Sequence, residues 1–172
     1  MLLSMKTAIR ILVSFSAALL GLGALATAQA PVKPSSGKAL CSALTPADFS
    51  KAGVPVSALS QANTGGTDGA YCVYKSTAGK VEFDIFYPAG ANANEVMATE
   101  KTVLGEGGGK YQPVKLAGAD SAHISQAMPD LPKSAGIVVR KGKAVFDIVV
   151  PKGPKAQEQL MALAQVVLTR IK

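Results

Sequence analysis

The chain has 172 residues, 18 Lys and Arg against 11 Asp and Glu, a formal net charge of +7, two cysteines, one histidine and no tryptophan. That length suits one domain with a sizeable core. A single imidazole leaves a histidine-based zinc site without its ligands, and nine Phe and Tyr offer little for nucleic-acid bases to stack on.

The amino terminus reads as an export signal. Lys6 and Arg10 precede an apolar run, Ile11 to Ala26, broken only by Ser14, Ser16, Gly21 and Gly23. Ala28-Gln29-Ala30 supplies small residues where signal peptidase needs them. An uncleaved anchor is the rival, but the run is shorter than the roughly 20 residues that span a bilayer. Residues 1–30 are therefore expected to be a signal peptide cut after Ala30, with cleavage after Ala28 the alternative. Residues 31–40 are expected to be a flexible leader, and 41–172 a single domain in the periplasm or outside the cell. Lys38-Ala39-Leu40 before Cys41 and the polar stretch upstream argue against a lipid anchor. Cleavage removes Lys6 and Arg10, leaving 16 basic and 11 acidic residues, net +5. No second apolar stretch approaches spanning length.

In an oxidising compartment two cysteines in a small domain point to a disulfide, and Cys41 and Cys72 have only each other. Next, Thr45-Pro46-Ala47-Asp48 reads as an N-cap followed by proline in the first turn, predicting a short helix at 46–52 that ends at Gly53. Segments 71–75 and 81–87 are rich in β-branched and aromatic residues around the turn-like Ser76 to Gly79, and predict a hairpin. In its second strand Val81, Phe83, Ile85 and Tyr87 share one face, with Glu82, Asp84 and Phe86 on the other. Asn92 or Asn94 can cap a helix running to about Leu104. Further strands are predicted at 111–116, 121–126, 136–140 and 143–150, the last two joined at Lys141-Gly142. A final helix opens at Pro154, with Leu160, Leu163, Val167, Leu168 and Ile171 at helical spacing.

Phe83-Asp84-Ile85-Phe86-Tyr87-Pro88-Ala89-Gly90 matches Phe146-Asp147-Ile148-Val149-Val150-Pro151-Lys152-Gly153 at five of eight positions, at an offset of 63 residues. Each copy follows a predicted hairpin and precedes a predicted helix. This is the pattern of an internal two-fold repeat, and convergence on strand, stop and helix would produce it too. The expected class is α+β, an antiparallel sheet with helices on one face.

The order Cys41, Leu44-Thr45-Pro46-Ala47-Asp48, Tyr71-Cys72-Val73-Tyr74, Leu116-Ala117-Gly118-Ala119-Asp120-Ser121-Ala122 and a terminal amphipathic helix resembles small actinobacterial envelope lipoproteins of unknown function. More distantly it is similar to the extracellular sensor domain of mycobacterial-type serine/threonine kinases. Ala117, Ala119 and Tyr74 stand where that pattern often has glycine or tryptophan. The resemblance implies a disulfide-tied α+β domain with a ligand cleft and no enzyme activity.

The residues themselves carry no catalytic, metal or cofactor motif. His123 shares a strand face with Ser121 and Ser125, which suits a hydrogen-bonded strand histidine better than a general base. Gly105, Gly107, Gly108 and Gly109 lack phosphate-loop spacing and are read as a flexible helix-to-strand loop, a candidate flap over a cleft. Asp84 and Asp147 occupy equivalent places in the two copies, where paired carboxylates can do acid–base work or simply face solvent. Residues 101–172 hold eleven basic and five acidic side chains. Arg140, Lys141 and Lys143 form a hairpin tip with Lys133, Lys152 and Lys155 expected nearby, a candidate patch for an anionic lipid, polysaccharide or acidic protein. The expected function is a non-catalytic envelope domain that binds a small ligand or envelope protein, or senses one. A partner-docking protein using the basic tip is the alternative, and a secreted enzyme without a recognisable motif the weaker one. Nucleic acid is not an expected partner.

Overall fold

The computed structural model describes residues 37–64, 69–88, 92–106, 110–128 and 130–171. Residues 1–30, expected to be a signal peptide, and most of the segment expected to be a leader lie outside them, but ordered structure begins before residue 41. A 3-10 helix, Gly37–Ala43, buries Leu40 and Cys41, so the fold starts inside the segment expected to be leader.

Helix α1, Pro46–Lys51, forms as its sequence dictates. The Thr45 amide donates to Asp48 Oδ2 at 2.8 Å and the Thr45 hydroxyl accepts from the Asp48 amide at 3.4 Å, a reciprocal capping box with Pro46 in the first turn. Gly53, at φ +77°, turns the chain out of the helix. Strands follow at β1 (Ala58–Thr64), β2 (Gly69–Lys75) and β3 (Glu82–Phe86), then α2 (Ala93–Glu106), β4 (Gln112–Pro113), β5 (Ser121–Ser125), β6 (Ser134–Lys141), β7 (Ala144–Pro151) and α3 (Ala156–Arg170). They build one antiparallel seven-stranded sheet in the order β1-β2-β3-β7-β6-β5-β4. The fold is α+β.

Two meanders, β1-β2-β3 and β4-β5-β6-β7, meet at β3 and β7, the strands that carry the repeated sequence. Asp84 pairs with Asp147, Phe83 with Ile148 and Ile85 with Phe146. The register is symmetric about the two aspartates, a local two-fold relation. It ends at the strands, because the helices that follow lie on opposite faces.

The first face holds the main core. Phe83, Ile85, Ile137, Phe146 and Ile148 meet Leu160, Leu163, Ala164 and Val167 of α3, with Phe49 and Leu44 beyond. The Phe49 and Tyr74 rings stand 4.6 Å apart, and the Tyr74 hydroxyl donates to the Leu44 carbonyl at 2.7 Å. Cys41 and Cys72 are joined by a disulfide that ties the 3-10 helix to β2. The second face was expected to be open, yet α2 lies on it. Val96 packs on Val138 and Val145, with Val103, Leu104 and Tyr111 around them. The sequence carried the reason. Ile137-Val138-Val139 and Ile148-Val149-Val150 are runs without alternation, the mark of strands buried on both sides.

Candidate binding face of the sheet

Every residue on the second face is placed by the pleat, which sends alternate side chains of each strand there. Tyr71 of β2, Asp84 of β3 and Asp147 of β7 lie abreast in register, which brings the two aspartates together as direct cross-strand neighbours. The Tyr71 hydroxyl donates to Glu82 Oε1, and Lys80 Nζ stands 2.7 Å from Glu82 Oε2. Asp84 Oδ1 is buried without a hydrogen bond. Burial, and then the Glu82 charge, push the Asp84 carboxyl up to about 7 against the opposing pull of the Cys72 backbone and Lys80. Burial and the Asp147 charge push Tyr111 up to about 12, and burial with Glu82 raises Tyr71 as well.

Beyond β7, α2 is tied to the sheet through one carboxylate. Glu100 is 7% exposed. Its Oε2 accepts from Arg140 Nε at 2.9 Å, and its Oε1 accepts from the Ser121 hydroxyl and lies 3.5 Å from His123 Nδ1. The donors come from adjoining strand positions, Ser121 facing Arg140 in the β5–β6 register and His123 one pleat along. Asp120 supports the group from behind. Its Oδ2 accepts from the Gly142 amide at 2.7 Å and stands 3.5 Å from Arg140 Nη1. A nucleophilic serine would donate to an imidazole, whereas Ser121 donates to a carboxylate. The sequence did not single out Glu100, although it sits in the stripe formed by Val96, Val103 and Leu104. An acid at the centre of an apolar helix stripe is the signal that finds it.

The basic residues are not brought into one patch. Lys133 and Lys152 are joined by a 2.8 Å backbone bond at one end of the β6–β7 hairpin, and Arg140, Lys141 and Lys143 lie at the other end, roughly 20 Å away at about 3.3 Å per residue. Arg140 is engaged as described. Lys141 Nζ donates to the carbonyls of Leu168 at 2.7 Å and Ile171 at 3.0 Å, where α3 ends, the place a cation suits a helix. Lys143 is exposed at the tip and Lys155 precedes α3. Of the glycines read as a flap, Gly105 belongs to α2, while Gly107, Gly108 and Gly109 lie outside the described residues. Asn92 Oδ1 caps α2 by accepting from the Glu95 amide at 3.0 Å.

On the first face Asp48 anchors α3. Its carboxylate accepts from Arg170 at 2.6 and 2.9 Å. Burial raises the Asp48 carboxyl, but the Arg170 and Thr45 bonds outweigh it and hold the group down at about 2. A shallow groove of about 460 Å³ runs beside α1, lined by Val54, Pro55, Val56, Ser57, Lys75 and Thr77 among others. Among the described residues that line it, Lys75 alone is titratable. Among the described residues no helix is long and apolar enough to cross a membrane, and no group of three His, Cys, Asp or Glu is placed to hold a metal ion. Comparison with family models, with curated proteins and with solved structures finds no match to this chain.

Proposed function

We propose that this is an exported binding domain without chemistry of its own, which takes a small ligand or a segment of an envelope protein on the second face of the sheet. One observation carries this reading. The first face is covered by α1, α3 and the 3-10 helix, whereas the helix of the second face meets β6 and β7 and leaves Tyr71, Val73, Asp84 and Phe86 half-buried beside it. Half-buried aromatic and apolar side chains interleaved with a few polar groups are the usual lining of a ligand site. The disulfide and the apolar run at the amino terminus support the exported compartment.

Native mass spectrometry of the protein taken from its own host's envelope tests the reading. An adduct is expected on the wild-type chain and is expected to be lost from Val73→Lys/Phe86→Lys, provided the melting curve shows that variant folded. A bare mass for the wild type, or an adduct that the double substitution leaves in place, overturns it.

A further inference from the structure

We infer that Ser121, His123 and Arg140 form a carboxylate-binding site that Glu100 of α2 fills from within, and that a ligand's carboxylate takes Glu100's place and frees α2 from the sheet. This rests on the binding reading above and names both the ligand's chemistry and the part that moves.

The site is built on the sheet, and its occupant is not. Arg140 and Ser121 are cross-strand partners, and His123 lies on the same strand face as Ser121. Asp120, itself held by the Gly142 amide, stands by the guanidinium. A positioned guanidinium and a hydroxyl are the donors that recognise a carboxylate. His123 Nδ1 is buried, has no hydrogen-bond partner and lies 3.5 Å from Glu100 Oε1, so the internal occupant reaches that nitrogen at ion-pair distance only and leaves its hydrogen-bonding capacity unfilled. Glu100, in contrast, arrives on a helix that adds one buried apolar side chain, Val96, with Val103 and Leu104 partly buried beside it. A carboxylate held by several donors at the end of so slight an apolar contact is a replaceable ligand. A ligand that makes the same bonds and also engages His123 competes with it directly, and it binds best where Glu100 is gone.

The experiment is an NMR titration of the purified, oxidised protein with sodium acetate, with sodium chloride at matched ionic strength as the control. In Glu100→Ala, saturable shifts are expected at Ser121, His123 and the Arg140 guanidinium with acetate but not with chloride. In the wild type the same shifts should need roughly tenfold more acetate, because the internal carboxylate competes. Glu100→Ala/Arg140→Gln should show none. Linear, unsaturated shifts in Glu100→Ala, or saturable ones that survive loss of Arg140, overturn the inference. Should Glu100→Ala fail to fold, Glu100→Gln takes its place in the same titration, where saturable shifts that depend on Arg140 support the site and linear ones overturn it. Acetate is the only ligand used, so a silent titration removes the carboxylate site while leaving a native-mass adduct standing. A bare native mass removes the binding reading whether or not acetate binds.

Discussion

Helices α2 and α3 are nearly equal in length, 14 and 15 residues, and each follows a strand bearing the repeated Phe-Asp-Ile sequence. Their attachment differs. Helix α3 buries Ala156, Leu160, Leu163, Ala164, Val167 and Leu168, and its last turn is fastened by Arg170 to Asp48 and by Lys141 to the terminal carbonyls. Helix α2 buries Val96 and Glu100. At roughly 1.5 to 3 kcal/mol for each large apolar side chain removed from water, the apolar contacts of α3 outweigh those of α2 several-fold. A helix held by a wide apolar stripe is part of the core. One held by a valine, two partly buried apolar neighbours and a buried acid is a cover whose attachment depends on a polar bond that another group can make.

The sharpest way to break the comparison is to weaken the first face and ask whether the second notices. The largest loss should come from the disulfide, which closes a loop across a separation of 31 residues. Replacing Cys41 and Cys72 by serine and alanine should lower the unfolding free energy by about 3 to 4 kcal/mol on the loop-entropy account. A urea titration measures it, and a loss below about 1 kcal/mol would show that the unfolded chain gains little freedom. Leu163→Ala comes next, at about 3 kcal/mol, since Leu163 is fully buried against the sheet. A shift well under 1 kcal/mol would mean that α3 repacks and is less fixed than its contacts imply.

The ion pair at the end of α3 should show itself through pH. Asp48 ionises at about 2 in the folded chain and near 3.9 in an unfolded one. Its depressed value contributes roughly 2 to 3 kcal/mol, fully present above about pH 5 and lost as pH falls through about 2. The gap in stability between wild type and Asp48→Asn should therefore be wide at pH 6 and narrow at pH 2.5. A gap that does not change with pH would assign the effect to shape and not to charge.

Much of this contrast was legible in the residues, and the part that was not has a physical cause. The α1 cap, the β2–β3 hairpin, the faces of β3 and the stripe of α3 follow from local rules that act within one turn or one pleat. Strand β1, with the sequence Ala-Leu-Ser-Gln-Ala-Asn-Thr, was not anticipated. It has little apolar alternation, and its place is set by pairing with β2 and not by its own preference. The basic residues looked like neighbours because a sequence shows number and not direction. A hairpin of two eight-residue strands carries Lys133 and Lys143 to opposite ends. Glu100 escaped because an acid on a helix reads as solvated surface, and only its setting among Val96, Val103 and Leu104 shows that it faces inward.

The smallest expected effect separates the two helices most cleanly. Val96→Ala should cost about 1 kcal/mol, roughly fivefold in an equilibrium constant. Hydrogen exchange shows where that cost falls. If α2 opens while the rest of the fold stays intact, the amides of α2 exchange through that local opening, and those of α3 and β7 wait for global unfolding. Val96→Ala weakens the closed state against both events, so both groups of amides should exchange about fivefold faster. Leu163→Ala weakens the closed and the α2-open states alike, because both keep α3 packed. It should accelerate exchange in α3 and β7 and leave α2 unchanged. Faster exchange of α2 in Leu163→Ala would mean that the two helices leave the sheet together, and α2 would then belong to the core.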